Sequence, residues 1–191
     1  ALEVDPVALG IADKGAVTAK RLLPVAGLPF FGGIRDAAPD AWGRRVIEAK
    51  LKVPANSLPE SQYLLHAGSD RVGALDIRGH ITDAPTAVAS AWHSLAHLVE
   101  AASRIDEGLP VPAHLDAIFQ GGSALGGARP KASIRDEQGI LWLAKFASAS
   151  DAMDVPTIEA ATLLLAKETG QCVPPVCTQS LNDRSIMLIQ R

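Results

Sequence analysis

Apolar positions along the chain fall either three and four apart or two apart, and each change of period marks a new element. Trp42, Val46, Ile47 and Leu51 recur at helical spacing and predict a helix from Asp40 to Leu51, with Pro39 fitting its first turn. Ser57-Leu58-Pro59-Glu60 has the capping-box form, Ser and Glu satisfying each other's free amides, so a second helix should follow and close at Gly68. Arg71 to Arg78 reads as a strand. Trp92, Leu95, Leu98 and Val99 line the apolar side of an amphipathic helix expected from Ser90 to Ile105, and a shorter helix is expected from Ala113 to Phe119.

From Gln120 onward a Gly-rich segment precedes two alternating stretches, Lys131 to Arg135 and Ile140 to Phe146, which flank the turn Asp136-Glu137-Gln138-Gly139 and predict a hairpin. Asp154 is placed to cap a helix that carries Pro156 in its first turn, runs to Thr169 and stops at Gly170. Strands from Val173 to Gln179 and from Ile186 to Ile189, joined around Leu181-Asn182-Asp183, complete the pattern. The expected fold class is therefore α+β. Gly-rich segment, hairpin, helix and two strands is the order of a protein-kinase small lobe, though many α+β domains share it. The character of the sequence changes at the Thr82-Asp83-Ala84-Pro85-Thr86 loop and again at Gly121, which divides the chain into residues 1–80, a helical connection 81–119 and a last part 120–191.

Composition narrows the picture. With 191 residues, 48% of them hydrophobic, the chain can bury a sizeable core and is neither disordered nor fibrous. Its net charge of -3 creates no overall positive field, so nucleic-acid binding by the chain itself is disfavoured. Cys172 and Cys177 match no zinc spacing and are too sparse for a disulfide framework, so they read as core thiols in a reducing compartment. No apolar run reaches the roughly 18 residues that span a bilayer, and no signal sequence opens the chain. A cytoplasmic location is expected, with no membrane partner. Ala1 at the start and a β-like run up to Arg191 predict a piece of a longer protein.

The chemistry concentrates in Gly121-Gly122-Ser123-Ala124-Leu125-Gly126-Gly127-Ala128-Arg129-Pro130-Lys131. Glycines let successive N–H groups converge on an anion, and Arg129 and Lys131 add positive charge, so the segment reads either as a phosphate cradle or as a linker. It is not a Walker A loop, and it lacks the G-x-G-x-x-G of dinucleotide folds. Lys145, on the apolar strand Leu141 to Phe146, needs an anionic partner or solvent at its tip. Glu159 follows early in the next helix, where the macrodipole alone would favour a carboxylate. Taken together, loop, strand lysine and helix glutamate follow the logic in which Lys grips nucleotide phosphates and Glu holds the Lys. Other groups carry less. His93 and His97 are spaced i,i+4 without a third ligand; Arg44, Arg45, Lys50 and Lys52 read as a solvated face; Asp106 and Glu107 read as a capping or loop pair; Ser123 has no local base.

The segment Gly122 to Lys131 closely resembles the Gly-rich loop of the HipA-like serine/threonine kinases, toxins of bacterial persistence toxin–antitoxin systems. Ile34 to Arg45 and Asp70 to Leu75 resemble that family's N-terminal subdomain; Ile158 to Gly170 and Met187 to Arg191 resemble its small-lobe helix and the strand into the hinge. The resemblance implies a HipA-type N-terminal subdomain over 1–80 and a kinase small lobe, an antiparallel sheet with one helix, over 120–191. It places Gly126, Gly127, Ala128, Arg129 and Lys131 over the phosphates of ATP, Lys145 in contact with them, Glu159 orienting Lys145, and Gln190 near the hinge position facing adenine. The family's catalytic Asp and Asn and its magnesium-binding Asp belong to a helical large lobe expected after Arg191, so these residues alone should show no turnover. The complete protein would bind Mg-ATP, phosphorylate Ser or Thr of a protein substrate, and pair with a small DNA-binding antitoxin, touching DNA only indirectly. The family's loop autophosphorylation maps to Ala124 here, with Ser123 one residue earlier, a departure from the pattern. The rival readings are a non-catalytic module regulating a separate kinase subunit and a metabolite-binding α+β domain.

Overall fold

The computed structural model describes residues 24, 27, 30–69, 71, 75–80, 82–86, 90–91, 95–121 and 125–191. Among them the chain forms helices α1 (Gly32–Ala37), α2 (Ala41–Leu51), α3 (Glu60–His66), α4 (Leu95–Asp106), α5 (Ile118–Gly121) and α6 (Val155–Glu168). The strands are β1 (Ser90–Ala91), β2 (Lys131–Arg135), β3 (Leu141–Phe146), β4 (Val176–Leu181) and β5 (Arg184–Gln190). They make one mixed sheet in the order β1-β2-β3-β5-β4, antiparallel throughout except for the short parallel pairing of β1 with β2. The α+β class holds.

The strand period decides the layering. On one face Ala132, Ile134, Ala144, Phe146, Ile186 and Leu188 are buried against Trp42 and Val46 of α2, Leu95, Leu98 and Ile105 of α4, and Leu115 and Ile118. The other face carries α6, packed over β4 and β5. Residues from all three stretches of the sequence thus share one apolar core. No helix among the described residues is long and apolar enough to cross a membrane.

Most expected elements form, and the departures have local causes. Helix α2 begins after Asp40, its N-cap, so Pro39 lies just outside it, its carbonyl accepting from Arg44 Nε at 3.1 Å. The capping box at Ser57 does not form: α3 starts at Glu60 with Pro59 as N-cap, and Ser57 Oγ donates to Pro54 O at 2.7 Å. A residue before proline avoids the helical region, which holds Leu58 out of the helix and shifts its start past Pro59. Leu75 to Arg78 is not strand. Arg71 turns inward and donates to the carbonyls of Ala37 and Leu64, in the last turns of α1 and α3, and of Ile77, so a side chain rather than a neighbouring strand holds this segment.

Ser90 and Ala91 belong to the sheet rather than to the expected helix, which starts at Leu95; Trp92 and His93 lie outside the described residues. The helix expected over 113–119 divides into a 3-10 turn, Ala113–Leu115, and α5. Strand β4 starts three residues later than expected, at Val176, because Pro174 and Pro175 have no N–H to give a ladder. Cys172 and Cys177 are exposed rather than core, one in the link after α6 and one on edge strand β4. Arg44 and Arg45 are not a solvated face: Arg44 pairs with Glu60 at 2.6 Å and stacks on Tyr63, and Arg45 pairs with Asp106 at 2.9 Å.

Candidate functional site

The antiparallel register of β2 and β3 sets Lys131 directly opposite Lys145, so both project from the face that α6 covers. The hairpin turn fixes that register: Asp136 Oδ1 accepts from the N–H groups of Gln138 and Ile140, and Gly139 has φ +80°. Asp154 caps α6 by accepting from Thr157 N–H at 3.2 Å, which sets the phase of the helix. That phase turns Glu159 onto the sheet, where its carboxylate accepts from Lys145 Nζ in a half-exposed ion pair.

Lys131 differs from Lys145. It is only 6% exposed, and Nζ donates to Gly126 O at 2.5 Å. Burial, and after it the adjacent Lys145 ammonium, bring its pKa down from 10.5 to about 8, against the opposing pull of Asp40 and Glu159.

The Gly-rich segment folds over this ammonium and is fastened from behind by α2. Gly127 has φ +92°, and a Cβ there would lie 2.7 Å from Lys131 Nζ, so a side chain would be strained and would push the ammonium aside. Gly127 N–H donates to Asp40 Oδ2 at 2.6 Å, and Gly127 O accepts from Trp42 N–H at 3.1 Å. Buried Trp42 donates through Nε1 to Lys131 O at 2.8 Å. Arg45 reaches Ala128 O at 3.3 Å.

The structure therefore gathers Gly126, Gly127, Lys131, Lys145 and Glu159. It does not gather Arg129, whose guanidinium pairs with Asp151, nor Gln190, which sits opposite Trp142 on the other face and gives its N–H to Pro175 O at 2.9 Å. Ala128 enters through its carbonyl alone. Ser123 lies outside the described residues. Asp40, Trp42 and Arg45 contact the Gly-rich segment and β2 in a way that the sequence pattern does not reveal, since the Asp40 contact joins residues 87 apart and an Asp before a helix reads as an ordinary cap.

A second polar cluster adjoins the Gly-rich segment through Arg45, whose Nη2 reaches both Ala128 O and Asp106. Asp106, at the end of α4, accepts from Ser148 Oγ at 2.7 Å, Ala149 N–H at 2.8 Å and Arg45 at 2.9 Å. Burial pushes its pKa up, but the hydrogen bonds from Ser148, Ala149 and Arg45 outweigh it and hold the carboxyl below its usual value. Asp106 is thus a bracing residue rather than a simple cap.

Two grooves flank α2, of about 620 Å³ beside Asp40 and Arg44 and about 610 Å³ beside Lys52 and Leu109; neither is lined by the two lysines. No cluster of three or more metal-ligating side chains occurs among the described residues.

No protein-family model matches the chain, and no curated protein and no solved structure matches it. Like charges directly opposite in a sheet repel, and here Glu159 forms an ion pair with Lys145, whereas Lys131 donates to Gly126 O and feels Asp40 and Glu159 only at longer range. An anion with several oxygens is the ligand that this arrangement would take, bound by Lys131 and Lys145 beside a glycine turn that lets it approach closely.

Proposed function

We propose that this chain is the nucleotide-binding portion of a HipA-like serine/threonine kinase, and that Lys131 and Lys145 hold the phosphates of ATP while Glu159 orients Lys145. The observation that carries the reading is the cross-strand lysine pair, with Lys145 engaged by Glu159 of α6 and Lys131 seated under Gly127. A lysine held by a helix carboxylate keeps its ammonium aimed at one place, which is what positioning a phosphoryl group requires. The resemblance matches none of these 191 residues to the family's catalytic Asp and Asn or its magnesium-binding Asp. What it assigns to this chain is holding the nucleotide, with Mg-ATP as ligand, a protein Ser or Thr as acceptor in the complete enzyme, and a DNA-binding antitoxin as partner.

Calorimetric titration of the full 191-residue chain with ATP tests this. Saturable binding is expected, weakened at least about tenfold by Lys145→Met and by Lys131→Met, since each removes a charge-assisted contact. Absence of binding by the folded wild-type chain, or unchanged affinity in both variants, would sink the reading.

A further inference from the structure

Among the described residues, two helices begin with Asp at the N-cap, and the two carboxylates are used differently. Asp154 caps its own helix, accepting from Thr157 N–H. Asp40 makes no side-chain cap bond to α2; its Oδ2 instead accepts from Gly127 N–H, 87 residues along the chain. The first turn of α2 is served in exchange by the same peptide unit's neighbourhood, because Gly127 O accepts from Trp42 N–H at 3.1 Å. The result is a reciprocal clasp. The N-terminus of α2 takes the N–H of Gly127 and offers an N–H to its C=O, and Trp42 Nε1 anchors the end of the segment at Lys131 O.

From this we infer that Asp40 is a positioning residue of the nucleotide site: through Gly127 it holds the Gly-rich turn in the φ +92° conformation that seats the turn against Lys131 Nζ. The inference rests on the nucleotide-binding reading above, since it concerns how that site is kept in shape. Glycine in a free turn visits many backbone conformations. A side-chain acceptor fixed at the right reach of the Gly127 amide selects one of them before any ligand arrives, which reduces the ordering cost of binding. Asp40 also lines the groove of about 620 Å³ beside α2.

Three substitutions separate positioning from helix capping. Asp40→Asn keeps both a good N-cap and an acceptor at the same reach. Asp40→Ser keeps the N-cap preference but shortens the side chain. Asp40→Ala removes both. The readouts are hydrogen exchange at the Gly127 amide in the 15N-labelled full chain and the affinity for ATP by calorimetry. In D40S and D40A the Gly127 amide is expected to exchange roughly tenfold faster or more, with ATP affinity about tenfold weaker; D40N should stay within about threefold of wild type in both. Normal Gly127 protection in D40S and D40A would overturn the inference, as would ATP affinity that is unchanged or raised. Should wild type itself fail to bind ATP, the nucleotide reading falls, while Gly127 exchange in D40S still decides whether Asp40 holds the turn.

Discussion

At the scale of single residues, Lys131 is where burial and charge act together. Its pKa near 8 means that the folded chain holds this proton less tightly than the unfolded chain, whose lysine titrates near 10.5. The sign follows directly. The unfolded state binds more protons between about pH 8 and 10.5, so Lys131 costs stability below pH 8 and that cost is relieved as pH rises through this window. Phosphate binding runs the other way, because it needs the ammonium. ATP affinity is therefore expected to fall as pH rises above about 8, by up to about tenfold per pH unit, and calorimetry between pH 7 and 9.5 measures it. Lys131→Arg should remove this pH dependence, since a guanidinium stays charged throughout. A flat profile in wild type would show that Lys131 is not the titrating contact. Lys145 was legible as a lysine on an apolar strand, and Glu159 through the order of elements and the family resemblance; the hairpin turn and the Asp154 cap then set the phase of the elements that carry them. The burial of Lys131 was not legible, since it depends on Gly127 and on a helix far away in sequence.

At the scale of elements, turn chemistry was the strongest guide. The β4–β5 hairpin closes through Asn182 and Asp183, with φ of 50° and 60°, the two-residue turn in which both central residues are left-handed. Asn tolerates this conformation and Asp pays more for it, so Asp183→Gly should stabilise the chain by about 0.5–1 kcal/mol. Urea denaturation should show a higher midpoint at unchanged slope, and a lower midpoint would contradict the turn geometry. Where the sequence reading failed, an unrecognised competitor won. Pro59 displaced the expected cap at Ser57, and Pro174 with Pro175 delayed β4. Ser90 and Ala91 went to the sheet because β2 offered a parallel edge that no local pattern announces.

At the scale of the whole molecule, α2 ties the first stretch to the last. Trp42 is fully buried in the core shared by α4 and the sheet, and its indole N–H satisfies Lys131 O. Trp42→Phe should cost about 1–3 kcal/mol by leaving that buried carbonyl short of a donor. Because one core spans all three stretches, far-UV circular dichroism and intrinsic fluorescence should report one coincident unfolding transition in wild type and variant alike. Two separated transitions would mean that the stretches fold independently.

By itself the sequence determined the α+β class, the hairpin, and helix α6 with its cap and stop, all of which depend on side-chain period and turn chemistry within a few residues, while the expectation that Glu159 holds Lys145 came from the family resemblance. The tertiary structure alone decided that Arg129 goes to Asp151, that Gln190 faces away from the lysines, and that Asp40 and Trp42 clasp the glycine turn. Those outcomes rest on hydrogen bonds between distant segments, and such bonds are selected by how the core packs, a quantity no local pattern encodes.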